Sequence, residues 1–384
     1  MKSNPVATYL SEHFGLGTDN VTLKPIGNGH INTTMLLKAE ENALVVQKLN
    51  TDVFPNPEHL VENARLIEQH LSEKLSNGEY NLEIIRHIPT LENDFLVECD
   101  QGVWRALEFI GGSYSEDVVA TISQAQTAAN AFGQFALALQ DFQAEQLHHV
   151  IPDFHNLAMR FDAFKKVLEK DPVNRVALCQ DDIDFCLAQQ SLVEELKQLE
   201  GNIPLRPCHN DTKINNMLFC TQSDDAKAVI DLDTCMPGYW LFDFGDMVRT
   251  FCSPEQEDST NLNNVRVREE IFAAIVKGYV EPLQDVITDA EKESFWLGTK
   301  VMTFMIGLRF LTDFIDGDNY FATKHANHNL VSTATSDGDA PSAMPKSISS
   351  TSPSTASPVG AKPPAELMRK RATLSPAVIP AGTT

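Results

Sequence analysis

Two short segments carry most of the chemical information in this 384-residue sequence: His-Asn-Asp-Thr-Lys-Ile-Asn-Asn at residues 209–216 and Val-Ile-Asp-Leu-Asp at residues 229–233. The first segment follows a proline and precedes the apolar run Met-Leu-Phe, so we expect a loop that leads into a short strand. The second segment has the apolar character of a strand and continues into a Pro-Gly turn. The polar side chains of both segments are therefore expected near strand ends.

Oxygen-bearing side chains in these segments suit a hard cation. Mg²⁺ usually takes one or two carboxylates together with phosphate oxygens, and Asp211, Asn216 and Asp231 offer such oxygens. An aspartate in the loop can also accept the proton of a hydroxyl group, and Lys213 can face a phosphate. The spacing Asp-x-Lys-x-x-Asn at residues 211–216 is that of the protein-kinase catalytic loop.

These motifs resemble the aminoglycoside phosphotransferase and choline kinase family, the small-molecule relatives of protein kinases. More narrowly, residues 209–216, 229–238 and 242–245 are similar to the N-acetylhexosamine 1-kinases, and the weaker marks at residues 27–32 and 47–50 agree. The resemblance covers roughly residues 8–330 and is dense only at these motifs. It implies ATP as the phosphate donor, Mg²⁺ as the metal and a small-molecule sugar as the acceptor.

The resemblance also implies roles for individual residues. Asp211 matches the catalytic base, which orients and deprotonates the attacking hydroxyl, and Lys213 matches the lysine that steadies the transferred phosphoryl group. Asn216 and Asp231 match the Mg²⁺ ligands. Asp233 is close enough to be either a substrate-binding group or a residue that supports the metal ligands.

The triplet Asp243-Phe244-Gly245 spells the metal-binding sequence of protein kinases. Asp231, however, follows an apolar strand-like run, whereas the resemblance implies that Asp243 belongs to a structural turn after Pro-Gly that leads into a helix. We therefore assign the metal to Asp231 and give Asp243 a capping or loop-tethering role. His209 is expected to anchor the loop through packing and a hydrogen bond.

The N-terminal marks have two interpretations each. The sequence Gly27-Asn28-Gly29 is either a hairpin turn or a loop that covers the nucleotide phosphates. His30 and Asn32 follow it and either face the cleft as substrate-binding residues or lie on a surface strand.

Gln47 occupies the position where related kinases have the strand lysine that pairs with the phosphates. Alternation with Val45 directs Lys48 to the opposite face of the strand, so Glu62 is only a weak candidate for a lysine–glutamate pair.

Two further sets of residues have a structural and a functional interpretation. Glu108, Phe109 and Ile110 are either an ordinary last strand or the hinge whose backbone receives the adenine. Arg309 lies in an otherwise apolar helical stretch and, if buried, needs an oxygen-rich partner. That partner is either a carboxylate in a structural salt bridge or, as the resemblance implies, the sugar substrate.

The element pattern predicts an α+β, two-lobe, protein-kinase-like fold. Strands are predicted within the first 110 residues, around a helix in which apolar residues recur at helical spacing from Leu60 to Leu71. The predicted helices of the second lobe are residues 118–142, 154–168, 183–199, 265–279 and 291–314. We expect residues 1–110 to form a nucleotide-binding N-lobe and residues 111–330 a catalytic, substrate-binding C-lobe. The Ser/Thr/Pro-rich residues 331–384 lack aromatic side chains and are predicted to be a disordered tail.

The composition of the chain limits the classes of binding partner that we expect. The net charge of -23 disfavours nucleic acid and anionic membranes. The sequence has no signal-like N-terminus or apolar run long enough to span a bilayer, and its seven cysteines include no Cys-x-x-Cys pair. These features predict a cytoplasmic monomer with reduced cysteines.

The functional hypothesis is an ATP-dependent kinase that phosphorylates a sugar hydroxyl, the anomeric hydroxyl of an N-acetylhexosamine. The alternatives are an aminoglycoside kinase, an amino-alcohol kinase of the choline or homoserine type, and a catalytically inactive nucleotide-binding scaffold. The intact set of Asp211, Asn216 and Asp231 speaks against the inactive scaffold.

Overall fold

A computed structural model of the chain describes residues 4–27, 31–40, 42–256, 259, 261, 264–321, 323 and 327–336. The elements of the N-lobe are α1 (Pro5–His13), β1 (Thr22–Pro25), β2 (Thr33–Ala39), β3 (Asn42–Lys48), α2 (Pro57–Ser76), β4 (Glu83–Ile84), β5 (His87–Ile88), β6 (Val97–Cys99) and β7 (Gly102–Glu108). The predicted residues Asn28, Gly29 and His30 lie outside the described residues.

The N-lobe sheet is antiparallel, with the strand order β1-β2-β3-β7-β5 and with β6 paired to β7. One face of the sheet, including Val46 and Ala106, packs against α1. Helix α1 begins where the Asn4 side chain accepts a hydrogen bond from the Val6 amide and a proline occupies the first turn. Val45 of the other face packs against the core of the C-lobe, so that face looks toward the second lobe.

Helix α2 confirms the predicted helical spacing. Leu60, Ala64, Ile67 and Leu71 are all buried, and the last three belong to the same apolar cluster as the C-lobe helices. This helix therefore joins the two lobes.

The C-lobe contains two small sheets and several helices. Its elements are β8 (Ser113–Tyr114), α3 (Ile122–Ala138), α4 (Leu157–Lys170), α5 (Gln180–Ala188), α6 (Ser191–Leu199), β9 (Arg206–Cys208), β10 (Met217–Cys220), β11 (Ala226–Val229), β12 (Met236–Gly238), α7 (Trp240–Phe251), α8 (Glu269–Leu283), α9 (Asp289–Asp316) and α10 (His328–Ser336). One sheet has the order β4-β11-β10-β8, and β9 pairs with β12 in the other. Strand β4 thus crosses from the N-lobe segment into the C-lobe sheet, where it pairs in parallel with β11.

Close helix packing forms the centre of the C-lobe. Glycines lie at two of the contacts, Gly133 with Gly278 between α3 and α8, and Gly245 with Gly298 between α7 and α9. A Cβ atom at Gly278 would lie 2.5 Å from the Gln126 carbonyl oxygen, and one at Gly245 would overlap the Gly298 carbonyl. Only glycine permits these helices to approach so closely.

The predicted helix at residues 183–199 is wrong in one respect, because the structure has two helices, α5 and α6, interrupted at residues 189–190. Ile183 and Cys186 are the buried apolar residues of α5, and Leu192 and Leu196 are those of α6. The step from residue 186 to 192 does not fit one helical stripe, so two separate helices bury these pairs better than one.

The predicted start of the tail at residue 331 also needs correction, because α10 continues to Ser336. The Asn329 amide donates hydrogen bonds to the carboxylates of Asp313 and Asp318, each at 2.8 Å. Ser332 and Thr333 are buried although their residue types suggested disorder. The composition of the segment thus concealed a helix that docks through small polar side chains. In the described part of the chain, no helix has the length and apolar character that a bilayer crossing requires.

Candidate active site

The loop between β9 and β10 brings the predicted base and one predicted metal ligand together. The Asn216 amide donates to the Asp211 carboxylate at 2.9 Å and to the Asp211 main-chain carbonyl at 2.8 Å. A single 3-10 turn, Ile214–Asn216, folds the chain back and produces this contact. Lys213 lies with its Nζ atom 3.3 Å from the same carboxylate.

Electrostatics keep Asp211 in its ionised form. Burial acts to raise the pKa of Asp211, but Lys213, His209 and the Asn216 amide together hold the pKa below its ordinary value. The side chain is 28% exposed, so an acceptor can still reach it. An ionised, accessible carboxylate can accept the proton of a hydroxyl group.

His209 has the anchoring role that the sequence predicted. Its Nε2 atom donates to the Ile230 carbonyl at 3.0 Å, and its Nδ1 atom accepts from the Asp211 amide at 3.3 Å. The ring packs edge-on against Phe132 and Phe135, and burial lowers the pKa of His209. His209 is thus a neutral side chain that links the loop to the segment carrying Asp231.

Asp243 is the tether of the same loop. Its carboxylate accepts the main-chain N–H groups of His209 at 3.0 Å and Asn210 at 2.7 Å, and its carbonyl accepts the Thr212 hydroxyl at 2.6 Å. Burial raises the pKa of Asp243 to about 7. Because both carboxylate oxygens already accept hydrogen bonds, this residue is poorly suited to hold a metal.

The remaining residues of the literal triplet have structural explanations. Phe244 stacks on Phe295 with 4.5 Å between ring centroids, inside the C-lobe core. Gly245 provides the close contact between α7 and α9. The sequence Asp-Phe-Gly is therefore used here for loop support and helix packing.

Asp231 lies immediately after β11, at the edge of the cleft. It adopts a left-handed conformation with φ 61°, which is uncommon for a residue other than glycine. The Ile230 N–H group donates to the Asn216 carbonyl at 2.9 Å, so the two predicted metal ligands are carried by hydrogen-bonded segments. The side chain of Asp231 is exposed on its cleft side but enclosed by protein elsewhere.

The surroundings of Asp231 suit a cation. Burial, followed by the charges of Asp233 and Asp211, raises the pKa of Asp231 to about 7. Within the described residues no group of at least three His, Cys, Asp or Glu side chains could hold a metal by itself. The pair Asn216 and Asp231 nevertheless fits Mg²⁺, because this ion commonly takes one or two protein oxygens and completes its shell with phosphate and water.

Asp233 and Asn32 meet across the lobes. The Asn32 amide donates to the Asp233 carboxylate at 2.6 Å, and Arg105 forms a very short ion pair with the other carboxylate oxygen. The Asn32 side-chain oxygen accepts the Asn50 N–H at 2.9 Å. Asp233 is buried, so both of these predicted substrate-binding residues are used in contacts within the protein.

Gln47 lies on the cleft face of β3, as the alternation predicted, and it contacts an arginine that sequence reasoning missed. Gln47 and Arg105 are paired across β3 and β7, and the Gln47 side-chain oxygen accepts from the Arg105 Nε at 2.9 Å and Nη2 at 2.6 Å. Glu62 instead pairs with His148 at 2.9 Å and is largely exposed. The sequence contains one signal for Arg105: it is a charged residue between the apolar residues Trp104 and Ala106 of a predicted strand.

Glu108, Phe109 and Ile110 lie where the chain passes from one lobe to the other. Glu108 is the last residue of β7, and the two following residues precede β8 of the C-lobe sheet. The Ile110 carbonyl accepts the Ser113 hydroxyl at 2.6 Å, and Phe109 is 40% exposed. Gly27 has a left-handed φ of 68° with open space at its Cβ position, as a tight turn requires.

The guanidinium group of Arg309, on α9, lies among aromatic rings. Its Nη2 atom donates to the Tyr320 hydroxyl at 3.3 Å, and its guanidinium carbon lies 6.0, 5.5 and 5.4 Å from the rings of Phe154, Tyr320 and Phe321. No carboxylate among the described residues forms a salt bridge with Arg309. The structural salt bridge that was one interpretation is thus not found in this part of the chain.

His155 and Arg160 join this region, and neither was identified from the sequence. The charge of Arg309 acts on both residues, and that of Asp211 acts on His155. Burial, followed by the Arg309 charge, lowers the pKa of His155 to about 3 and also lowers the pKa of Arg160. The imidazole of His155 is therefore neutral and under the influence of two guanidinium groups and of Asp211.

Comparison with known proteins identifies the family of the chain. Residues 22–278 match the APH model, described as the phosphotransferase enzyme family. The chain belongs to this family.

Solved structures with the same fold include several kinases of small molecules. A microcompartment-associated aminopropanol kinase has a TM-score of 0.54 at 14% identity, over 86% of this chain and 94% of that one. A spectinomycin phosphotransferase in complex with ADP and spectinomycin has a TM-score of 0.51 at 14% identity, over 88% and 99% of the two chains. An ethanolamine kinase from Plasmodium vivax has a TM-score of 0.52 at 14% identity, over 88% and 90%. These similarities establish the two-lobe kinase-like fold.

Proposed function

We propose that the protein is an ATP- and Mg²⁺-dependent kinase that phosphorylates the anomeric hydroxyl of an N-acetylhexosamine. The observation that carries the proposal is the contact of the Asn216 amide with the Asp211 carboxylate, beside the segment that bears Asp231. Membership of a phosphotransferase enzyme family supports the reaction type.

The described residues have complementary tasks in this reaction. Asp211 accepts a hydrogen bond from the acceptor hydroxyl, orients it and takes its proton as the new O–P bond forms. Lys213 faces the transferred phosphoryl group, and its 3.3 Å contact with Asp211 keeps the carboxylate ionised. Asn216 and Asp231 would hold Mg²⁺, which would neutralise the charge that develops on the phosphate oxygens.

The nucleotide binds in the cleft between the lobes. Its adenine lies against the main chain of Glu108, Phe109 and Ile110, and its phosphates lie below the loop that begins at Gly27. Residues 1–110 thus bind the nucleotide, and residues 111–330 carry the acceptor. The shared fold of the spectinomycin phosphotransferase, whose structure contains ADP, supports this arrangement.

The charges around His155 favour a neutral acceptor. Those of Arg309 and Arg160 both act on His155, which stays neutral because burial lowers its pKa to about 3. Two guanidinium groups repel an ammonium ion, whereas they can donate hydrogen bonds to the hydroxyl and acetamide oxygens of an amino sugar. This charge distribution supports the proposal of an N-acetylated sugar over the aminoglycosides and amino alcohols considered as alternatives.

The deciding experiment is an ADP-release assay with a panel of acceptors. The panel contains N-acetylglucosamine, N-acetylgalactosamine, choline, ethanolamine, homoserine and an aminoglycoside, each with MgATP. We expect turnover of at least one N-acetylhexosamine, with a product that gives a sugar-phosphate signal in ³¹P NMR and has lost its reducing end.

The outcomes separate the parts of the proposal. Turnover of a cationic acceptor without turnover of either amino sugar would contradict the acceptor and retain the kinase. A phosphorylated product that keeps its reducing end would contradict the anomeric position alone. Nucleotide binding without turnover of any acceptor in a broad sugar and amine panel would favour the inactive scaffold.

A further inference from the structure

Arg105 is among the largest fully buried side chains of the protein, with 2% of it exposed. It projects from β7 on the face of the sheet that looks toward the C-lobe, opposite Gln47 of β3. A guanidinium group in such a position must be compensated by a carboxylate or by several hydrogen bonds. The partners of this group therefore indicate what it does.

The partners of Arg105 come from both lobes. Its Nε and Nη2 atoms donate to Gln47 of the N-lobe, and Nη2 also forms the ion pair with Asp233. Asp233 is separated by one residue from Asp231, the proposed metal ligand. Arg105 thus connects the N-lobe sheet directly to the segment that holds the metal.

One donor group of Arg105 has no partner. Its Nη1 atom is enclosed and forms no hydrogen bond to any described residue. An enclosed cationic N–H group without an acceptor is unfavourable, since charged groups lose more by remaining unpaired than neutral ones do. An anion that displaces the groups enclosing Nη1 as it binds can supply the missing acceptor.

The usual charged pair of this region is absent. In protein kinases a lysine on the third strand pairs with a helix glutamate and contacts the nucleotide phosphates. Here Gln47 stands on that strand, and Glu62 of α2 pairs with His148 away from it. On this face of the sheet Arg105 is nevertheless a buried strand-borne cation, and Asp233 is the carboxylate that pairs with it.

We propose that Arg105 replaces the missing strand lysine: it fixes the metal-bearing segment to the N-lobe through Asp233 and offers Nη1 to a nucleotide phosphate. The arginine lies on the neighbouring strand, and Gln47 orients it by accepting two of its N–H groups. This inference rests on the proposed nucleotide binding. It adds Arg105 as a nucleotide-binding residue. It also forms the charged pair from Arg105 and Asp233 instead of a strand lysine and a helix glutamate.

The test measures nucleotide affinity as well as activity. Calorimetry with MgADP is performed on the wild type, Arg105→Gln, Arg105→Lys and the double variant Gln47→Lys/Arg105→Gln. The matched control is Lys38→Gln, because Lys38 is exposed and its loss removes one positive charge from the same sheet, four residues along β2 from Thr34, the cross-strand partner of Gln47.

We expect Arg105→Gln to weaken MgADP binding by about tenfold to a hundredfold, the range of one charge-assisted hydrogen bond. Arg105→Lys should bind with intermediate affinity because it keeps the charge and loses the planar fork. The double variant should recover part of the loss, since it returns a cation to the lysine position. Lys38→Gln should bind as the wild type does.

A folded Arg105→Gln variant with wild-type affinity for MgADP would overturn the inference. If melting shows that this variant does not fold, Asp233→Asn decides instead. It should raise the KM for ATP several-fold while leaving the KM for the acceptor unchanged, and an unchanged KM for ATP contradicts the inference. Failure of the wild type to bind any nucleotide would contradict the proposed function itself, and the inference with it.

Discussion

The two sides of the cleft are built in different ways. On the C-lobe side, Asp211, Lys213 and Asn216 lie within six consecutive residues, and one short turn brings them together. On the N-lobe side, contacts join four residues from separate parts of the chain: Asn32 just before β2, Gln47 of β3, Arg105 of β7 and Asp233 of the other lobe.

The comparison teaches which features a sequence can reveal. A site assembled within one loop has a fixed spacing, and the spacing can be recognised in the sequence. A site assembled across strands depends on register and on the approach of the lobes, so its members carry no common spacing. The following variants test whether the C-lobe side of the cleft performs the chemistry and which residues hold that side in place.

The largest loss of activity is expected when Asp211, the proposed base, is substituted. Asp211→Asn keeps the shape and the hydrogen bond to Asn216 but cannot take a proton, so kcat should fall by about a thousandfold. MgADP affinity should change by no more than about threefold, which calorimetry can determine. The matched control is Asp285→Asn, since Asp285 is exposed and remote from the cleft. Full activity in Asp211→Asn would show that the base is another group.

Two aspartates with raised pKa values should respond in opposite ways. Asp231→Asn removes a proposed metal ligand and should lower kcat about a hundredfold, while removal of like-charge repulsion leaves the melting temperature unchanged or raises it.

Asp243→Asn loses an acceptor for the loop amides and should lower the free energy of unfolding by about 1–3 kcal/mol. Activity titrated with Mg²⁺ and thermal melting measure the two effects. The metal assignment is wrong if only Asp243→Asn changes the Mg²⁺ requirement.

His155 should make the protein less stable in acid. Its pKa is about 3 in the folded protein, against 6.5 for an ordinary histidine. The stability that depends on the neutral ring is present above pH 6.5 and is lost as the pH falls toward 3. His155→Phe should therefore reduce the loss of unfolding free energy between pH 7.5 and pH 5 by up to about 2 kcal/mol.

Denaturant unfolding at the two pH values measures this difference. Exposed His149, changed in His149→Gln, is the control and should leave the pH dependence as it is in the wild type. An identical pH dependence in His155→Phe and the wild type would mean that this histidine is protonated in the folded protein.

The smallest effect concerns the last helix. Asn329→Ala removes two hydrogen bonds to buried or half-buried carboxylates and should lower the free energy of unfolding by about 1–2 kcal/mol. Truncation after Ser336 should leave melting and activity unchanged, because the sequence beyond it is rich in serine, threonine and proline and has no aromatic residue to contribute to a core. A truncation at Leu330 that melts like the full chain would contradict the role of α10.

Much of the fold could be predicted from periodicity. The strands that became β1, β2, β3 and β7 and the helix α2 were identified because alternation and helical spacing are local properties. The break between α5 and α6 and the helix α10 were not, since both depend on which surfaces the rest of the chain offers. Ser332 and Thr333 show this well, because they are buried by α9 and not by their own hydrophobicity.

The site divides in the same way. The contact of Asp211 with Asn216, the tether formed by Asp243 and the anchoring role of His209 all follow from the motif. Arg105 was missed because an isolated arginine in a strand says nothing about the residue across the sheet. His155 was missed because its neighbours Phe154 and Phe242 come together only in the fold.

The contact between Gly245 and Gly298 determines more than the density of the core. Helix α7 carries Asp243, which holds the loop of Asp211, and helix α9 carries Arg309 at the proposed acceptor site. The separation of these two helices therefore sets the distance between the group that activates the acceptor and the group that binds it. A single added methyl group at either glycine would meet main-chain atoms of the facing helix and change how the acceptor is aimed at the base, so we expect neither position to tolerate substitution.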